Sequence, residues 1–172
     1  NLEEWYYRAM DSKKVLEELL DSFKRYYDWS TENPVSPFVA TAEFHSHTEQ
    51  YMLLKIAHLS DIYTHEYVYF ALEDELSAGR LAELAELAWN DGISKVKPIE
   101  GHKTSDVTLI VLAEKTCGEV LKSCKKIKKH KSYNFTFRGW SDLRLAVMDL
   151  SCGSFAVNRL AGHLKKVFKQ II

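Results

Sequence analysis

The stretch at residues 107–113, VTLIVLA, carries one polar side chain, Thr108, and constrains the fold more than any other. A run apolar on both of its alternating faces belongs to a strand with no wet side, at the centre of a sheet. Thr116 and Glu119 follow in the spacing of a capping box. They predict a helix from Thr116 to about residue 129, with Val120, Leu121, Cys124 and Ile127 turned inward. Strands are expected at 133–140, 143–150 and 154–157, with a turn at Ser151-Cys152-Gly153 before the last. The strand–helix–strand unit over 107–137 is long enough for a parallel crossover.

The rest of the chain supplies partners for this block. A helix over 2–28 places Leu16, Leu19, Leu20, Phe23 and Tyr27 on one stripe, with Asp11-Ser12 as a point where it could be recapped. Residues 29–37, rich in Ser, Thr, Asn and Pro, read as a loop. A meander over 38–73 is predicted from three strands, 38–47, 51–58 and 65–73, with turns at 48–50 and 59–64. A helix at 77–90 closes at Asn90-Asp91-Gly92, and a last helix spans 160–171 with Leu164, Val167 and Phe168 opposite Lys165, Lys166 and Lys169. The fold class is therefore α+β in one domain, 1–172. Its sheet is mixed, largely antiparallel and of six or seven strands, with helices mainly on one face and the order α-βββ-α-β-α-βββ-α. At 172 residues such a chain can bury roughly 70% of its unfolded surface, enough for a core without staples.

Composition narrows the function. A net charge of -1 argues against a global field for polyanions, though a local patch is compatible with it. Cys117, Cys124 and Cys152 form no C-x-x-C pair, so neither a disulfide framework nor a thiolate zinc site is indicated, and a reducing, cytoplasmic setting fits. No stretch approaches the ~18 apolar residues of a membrane helix, and no signal-peptide plan is visible.

Three constellations carry chemistry. Glu43, His45 and His47 in TAEFHSH share one face of a strand, the donor set of a facial-triad or open zinc site, with His65 or Glu66 as a further ligand. Read that way the cofactor is a divalent metal; read blandly, these are polar strand residues and no cofactor is needed. His65-Glu66 does not continue to H-E-x-x-H, because position 69 is Tyr. The run KSCKKIKKHK at 122–131, from Lys122 to Lys131, holds six lysines and leads to Tyr133, Phe135 and Phe137. It is either a nucleic-acid platform or, with the rings in the core, the solvated face of a helix. Cys117, in the first turn of that helix, is a weaker candidate nucleophile. No Walker loop, G-x-G-x-x-G or G-x-S-x-G is present.

The pattern KKIKKHKSYNFTFRGW, followed by DLRLAVMDL, Gly153 and VNRLAG, resembles a family of uncharacterised bacterial proteins sharing a domain of unknown function. The likeness covers most of residues 35–165, and Gly139-Trp140, Gly153 and Asn158 are its distinctive positions. It implies no activity. The leading expectation is a non-catalytic domain that binds a protein partner or small ligand through Tyr67 and Tyr69 and self-associates. A metal-dependent enzyme using Glu43, His45 and His47 comes second and nucleic-acid binding third; a membrane role is not expected.

Overall fold

The computed structural model describes residues 11–52 and 57–171. Its core is one seven-stranded mixed sheet whose three middle strands run parallel. The elements are α1 (Ser12–Phe23), β1 (Asp28–Ser30), β2 (Ala40–Met52), β3 (Ala57–Leu76), α2 (Ala78–Ser94), β4 (His102–Thr116), α3 (Val120–Lys126), β5 (His130–Ser132), β6 (Trp140–Asp149), β7 (Ser154–Val157) and α4 (Leu164–Ile171). A 3-10 turn, Arg159–Ala161, precedes α4. The strand order is β1-β2-β3-β4-β6-β5, and β7 also pairs with β6. Four of the six pairings are antiparallel, so the α+β class and the largely antiparallel sheet are as expected.

The apolar run sits where predicted, in β4 between β3 and β6. A strand dry on both sides needs cover on both. Val107, Leu109 and Val111 meet α2 and α3, together with Tyr67, Tyr69, Leu143 and Leu145. Ile110 and Leu112 meet α1 and α4, together with Val68, Phe70, Ala146 and Met148. Helices thus cover both faces rather than mainly one. The amphipathic stripes of α1 and α4 are the reason, since their apolar residues have no other surface to bury against.

Several boundaries differ from expectation. Residues 2–10 of the predicted first helix lie outside the described residues; α1 begins at Ser12, where Asp11 accepts a hydrogen bond from the Lys13 amide at 3.0 Å. Part of the expected loop at 29–37 forms β1 on the edge of β2. The meander is two long strands instead of three, because 59–64 continues in β3 and pairs with β2 (Thr64 with Ser46, Ile62 with Thr48). Ser60, Asp61 and Thr64, which suggest a turn, pair equally well in a ladder. The Thr116–Glu119 box does not form: the Thr116 amide and hydroxyl both donate to Asp149, at 3.0 and 2.6 Å, and the helix starts only at Val120. Cys117 therefore precedes the helix instead of lying in its first turn. Helix α2 runs past Asn90-Asp91-Gly92 to Ser94, and Gly92 serves close packing, since a Cβ there would lie 2.5 Å from Val107 Cγ2. The predicted strand at 133–140 is largely a left-handed turn, and the C-terminal helix is broken into the 3-10 turn and α4.

Both β5 and β7 pair with the same edge of β6, at Trp140–Asp142 and Ala146–Asp149 respectively. The gap between them is filled by the side chain of Asn158, which is 3% exposed. Its Oδ1 accepts from Leu145 N at 3.0 Å, and its Nδ2 donates to Leu143 O at 2.8 Å and to Ile127 O at 3.2 Å. One amide thus stands in for a strand. Because each buried backbone group left without a partner costs ~1–3 kcal/mol, Asn158→Ala should lower unfolding free energy by about 3 kcal/mol in urea denaturation. Asn158→Asp, which cannot donate, should recover little of it.

Candidate functional site

Basic side chains gather around that same edge. Helix α3 ends with Lys125 and Lys126 in its last turn, where cations complement the helix dipole. The chain then passes through Lys128 and Lys129 into β5. Across the gap, the 3-10 turn contributes Arg159. Helix α4 buries Leu164 and Phe168, which leaves Lys165 and Lys169, four residues apart, on another of its sides. The result is a cleft of about 600 Å³ lined by Lys125, Arg159, Lys165, Lys169 and the β7 residues Phe155, Ala156 and Val157. A smaller cleft of about 170 Å³ adjoins it through the shared Arg159 and includes Lys128, Lys129, His130 and Asp142. Asp142 is engaged by His130 at 2.7 Å, and Lys129 pairs with Glu86. No carboxylate lines the larger cleft among the described residues. Like charges at i and i+4 cost a helix ~0.2–0.5 kcal/mol, a local expense that an anion would remove.

Strand β5 leads from this edge into a turn with positive φ at Asn134 (48°), Phe135 (52°) and Thr136 (75°). Such angles cost non-glycine residues roughly 1–3 kcal/mol each and persist only where the surroundings enforce them. Here they are enforced. Phe137 N donates to Asn134 O at 3.0 Å, Arg138 N to Tyr133 O at 3.1 Å and Gly139 N to Thr136 O at 2.9 Å. From below, His102 Nδ1–H donates to Arg138 O at 2.5 Å, and its Nε2 meets Ser105 Oγ at 2.7 Å. Gly139 (φ 78°) lies so close to the backbone that a Cβ would meet Lys103 O at 2.1 Å. Phe135 and Phe137, expected in the core, are 88% and 84% exposed. Alternation alone had placed them inside; the left-handed turn turns them out.

The other sequence candidates lie across the sheet. Tyr67 and Tyr69 are buried under α2, with Lys95 Nζ 5.4 and 5.6 Å from their ring centres, and Tyr69 donates to Asp91 at 2.5 Å. They offer no exposed aromatic face, so the docking surface expected there is corrected to core. Glu43 and His45 do meet, Oε2 to Nε2 at 3.1 Å, but His47 turns to Asp61 at 2.9 Å and stacks on Tyr63. Glu66 points to the opposite face from His65, where Thr108 donates to it at 2.6 Å, Tyr27 also donates, and Arg144 bridges it to Asp106. No group of three or more His, Cys, Asp or Glu able to hold a metal comes together among the described residues. The Glu66–Arg144–Asp106 cluster had no sequence signature, because its members come from three strands. Burial raises the Asp106 carboxyl against the pull of Arg144. Cys124 faces the core, where burial pushes its thiol up to about 12. No helix among the described residues is long and apolar enough to cross a membrane.

On the histidine face, His45 Nδ1 and His65 Nδ1 are 2.7 Å apart, and two nitrogens at that distance share one hydrogen. His65 also stacks near His102, and burial, then the charges of His45 and His102, hold it below the ordinary histidine range. His163 is lowered likewise by burial and then by Arg144. Burial works to raise Glu43, but hydrogen bonds from His45 and Lys95 outweigh it and hold the carboxyl low. For a histidine with a depressed folded pKa, the unfolded chain binds the proton first, so stability is lost as pH falls through the ordinary value near ~6.5. Melting temperature should therefore drop between about pH 7.5 and about pH 5.5, and less in His65→Asn than in the parent. Glu43 acts only at lower pH, and the opposite contribution of Asp106 is common to both proteins.

No curated protein sequence and no solved structure matches the chain. A family model does match, over residues 11–170. The four positions distinctive in the resemblance all take part in the edge just described: Gly139 and Gly153 have positive φ, Trp140 starts β6 and Asn158 fills its gap. The chain belongs to the family described as a domain of unknown function, DUF8052.

Proposed function

We propose that this domain is a non-catalytic binding module for a phosphate-bearing polyanion held in the cleft between α3, β7 and α4. The observation that carries the proposal is the convergence of Lys125, Arg159, Lys165 and Lys169 on one cleft, in a chain whose net charge is -1. Its volume lies within the 300–1,000 Å³ usual for ligand sites. Phosphate fits the donors: arginine binds its oxygens in pairs, while lysines add point charge on flexible stems. From the sequence alone such a ligand stands third, because the lysines of 122–131 read as a solvated helix face and the following rings as core. The free thiols Cys117, Cys124 and Cys152 support a cytoplasmic setting.

The test uses inorganic polyphosphate titrated into the full chain over a series of salt concentrations. Each cation that neutralises a phosphate contributes about one unit to the slope of log affinity against log salt. Lys165→Glu with Lys169→Glu should weaken binding at least tenfold and reduce the slope by about two. Lys13→Glu with Lys14→Glu, on α1, should leave both unchanged. Equal binding by the two double variants would remove the cleft from consideration.

A further inference from the structure

We propose that Phe135 and Phe137 form a base-stacking platform, so that the polyanion is a single-stranded nucleic acid; this rests on the cleft reading and names its ligand. The platform is built, not incidental. Both rings are almost wholly exposed, yet the turn that carries them is pinned by its own hydrogen bonds, by His102 and by the contact of Gly139 with Lys103. A rigid support matters because a ring already held in place loses little freedom on binding. Every base has a face that an aromatic ring can cover, whereas a duplex presents only base edges in its grooves.

The cleft and the platform are joined by a basic track. Strand β7 meets β6 at Ala146, and β5 meets it between Asp142 and Trp140, so the two ends lie on the order of 20 Å apart along one strand. Arg159, Lys128, Lys129 and His130 line the way, with Lys129 paired to Glu86 and His130 to Asp142, so Arg159 and Lys128 carry the charge offered to phosphate. Lys131 follows on β5 with its ammonium 5.6 Å from the Tyr133 ring, at the root of the turn. Phosphates on the track would leave bases free to reach the rings. An anionic lipid surface would also meet cations and exposed Phe, but it presents no flat ring for the two phenyl rings to stack against.

The experiment compares three probes on the full chain: a short fluorescent oligothymidylate, inorganic polyphosphate, and vesicles containing phosphatidylserine. Phe135→Ala with Phe137→Ala alters only exposed side chains, and an unchanged melting curve verifies the fold. The expected result is at least a tenfold loss of oligothymidylate affinity with an unchanged salt slope and unchanged polyphosphate binding. Phe135→Trp should retain affinity. If the double Phe variant binds oligothymidylate like the parent while Lys165→Glu with Lys169→Glu weakens it, stacking is overturned and the polyanion module stands. If neither variant affects oligothymidylate or polyphosphate, both proposals fall. Vesicle binding lost in the double Phe variant, without oligothymidylate binding, overturns the nucleic-acid assignment in favour of a membrane surface.

Discussion

β4 has no wet side, and the rest of the structure answers that constraint. Its buried stretch, Val107 to Ala113, demands neighbours on both edges and helices on both faces. Two crossovers, through α2 and α3, bring β3 and β6 alongside it in parallel. At ~25 cal/mol per Å² of apolar surface removed from water, covering both faces of this strand favours the three-layer arrangement. The one polar residue in the run, Thr108, is accommodated by donating to Glu66, which ties the core to the buried charges at its border.

Those charges are satisfied internally rather than by solvent. Arg144 lies between Glu66 and Asp106, while Tyr27 and the Asp142 amide complete the carboxylates' partners. Such a cluster adds little net stability compared with an apolar replacement, but removing one member leaves a buried charge uncompensated. It lies at the border of the core, where Tyr27 meets Glu66 of the sheet. The Ser105–His102 pair is similar. Its geometry resembles a nucleophile and base, yet both residues are buried and the outer nitrogen holds Arg138 O, so the pair serves to fasten the left-handed turn.

The far edge of β6 is different in kind. Two short strands share it, an asparagine replaces the ladder between them, and the surrounding side chains are cationic. Backbone strain, exposed rings and the like charges of the larger cleft lie along one edge of the sheet. Each works against stability on its own, and a bound anion with stackable rings would offset the exposed rings and like charges together.

The amino-acid sequence by itself determined the class and part of the element pattern: the dry strand, the amphipathic helices and the alternating strand at 65–73 all follow from local periodicity, which depends only on neighbours three, four or two residues away. It also marked Glu43 and His45 as face-sharing, and they do touch. Only the tertiary structure decided that helices lie on both faces, that Tyr67 and Tyr69 are covered, and that Phe135 and Phe137 are not. Those outcomes turn on contacts between residues distant in sequence, such as His102 with Arg138 and Gly139 with Lys103, which override local alternation. The basic cleft was half legible, since the lysines of 122–131 stood out as a run. Arg159, Lys165 and Lys169 join Lys125 only because β7 returns the chain to the edge of β6, a closure that no local pattern encodes.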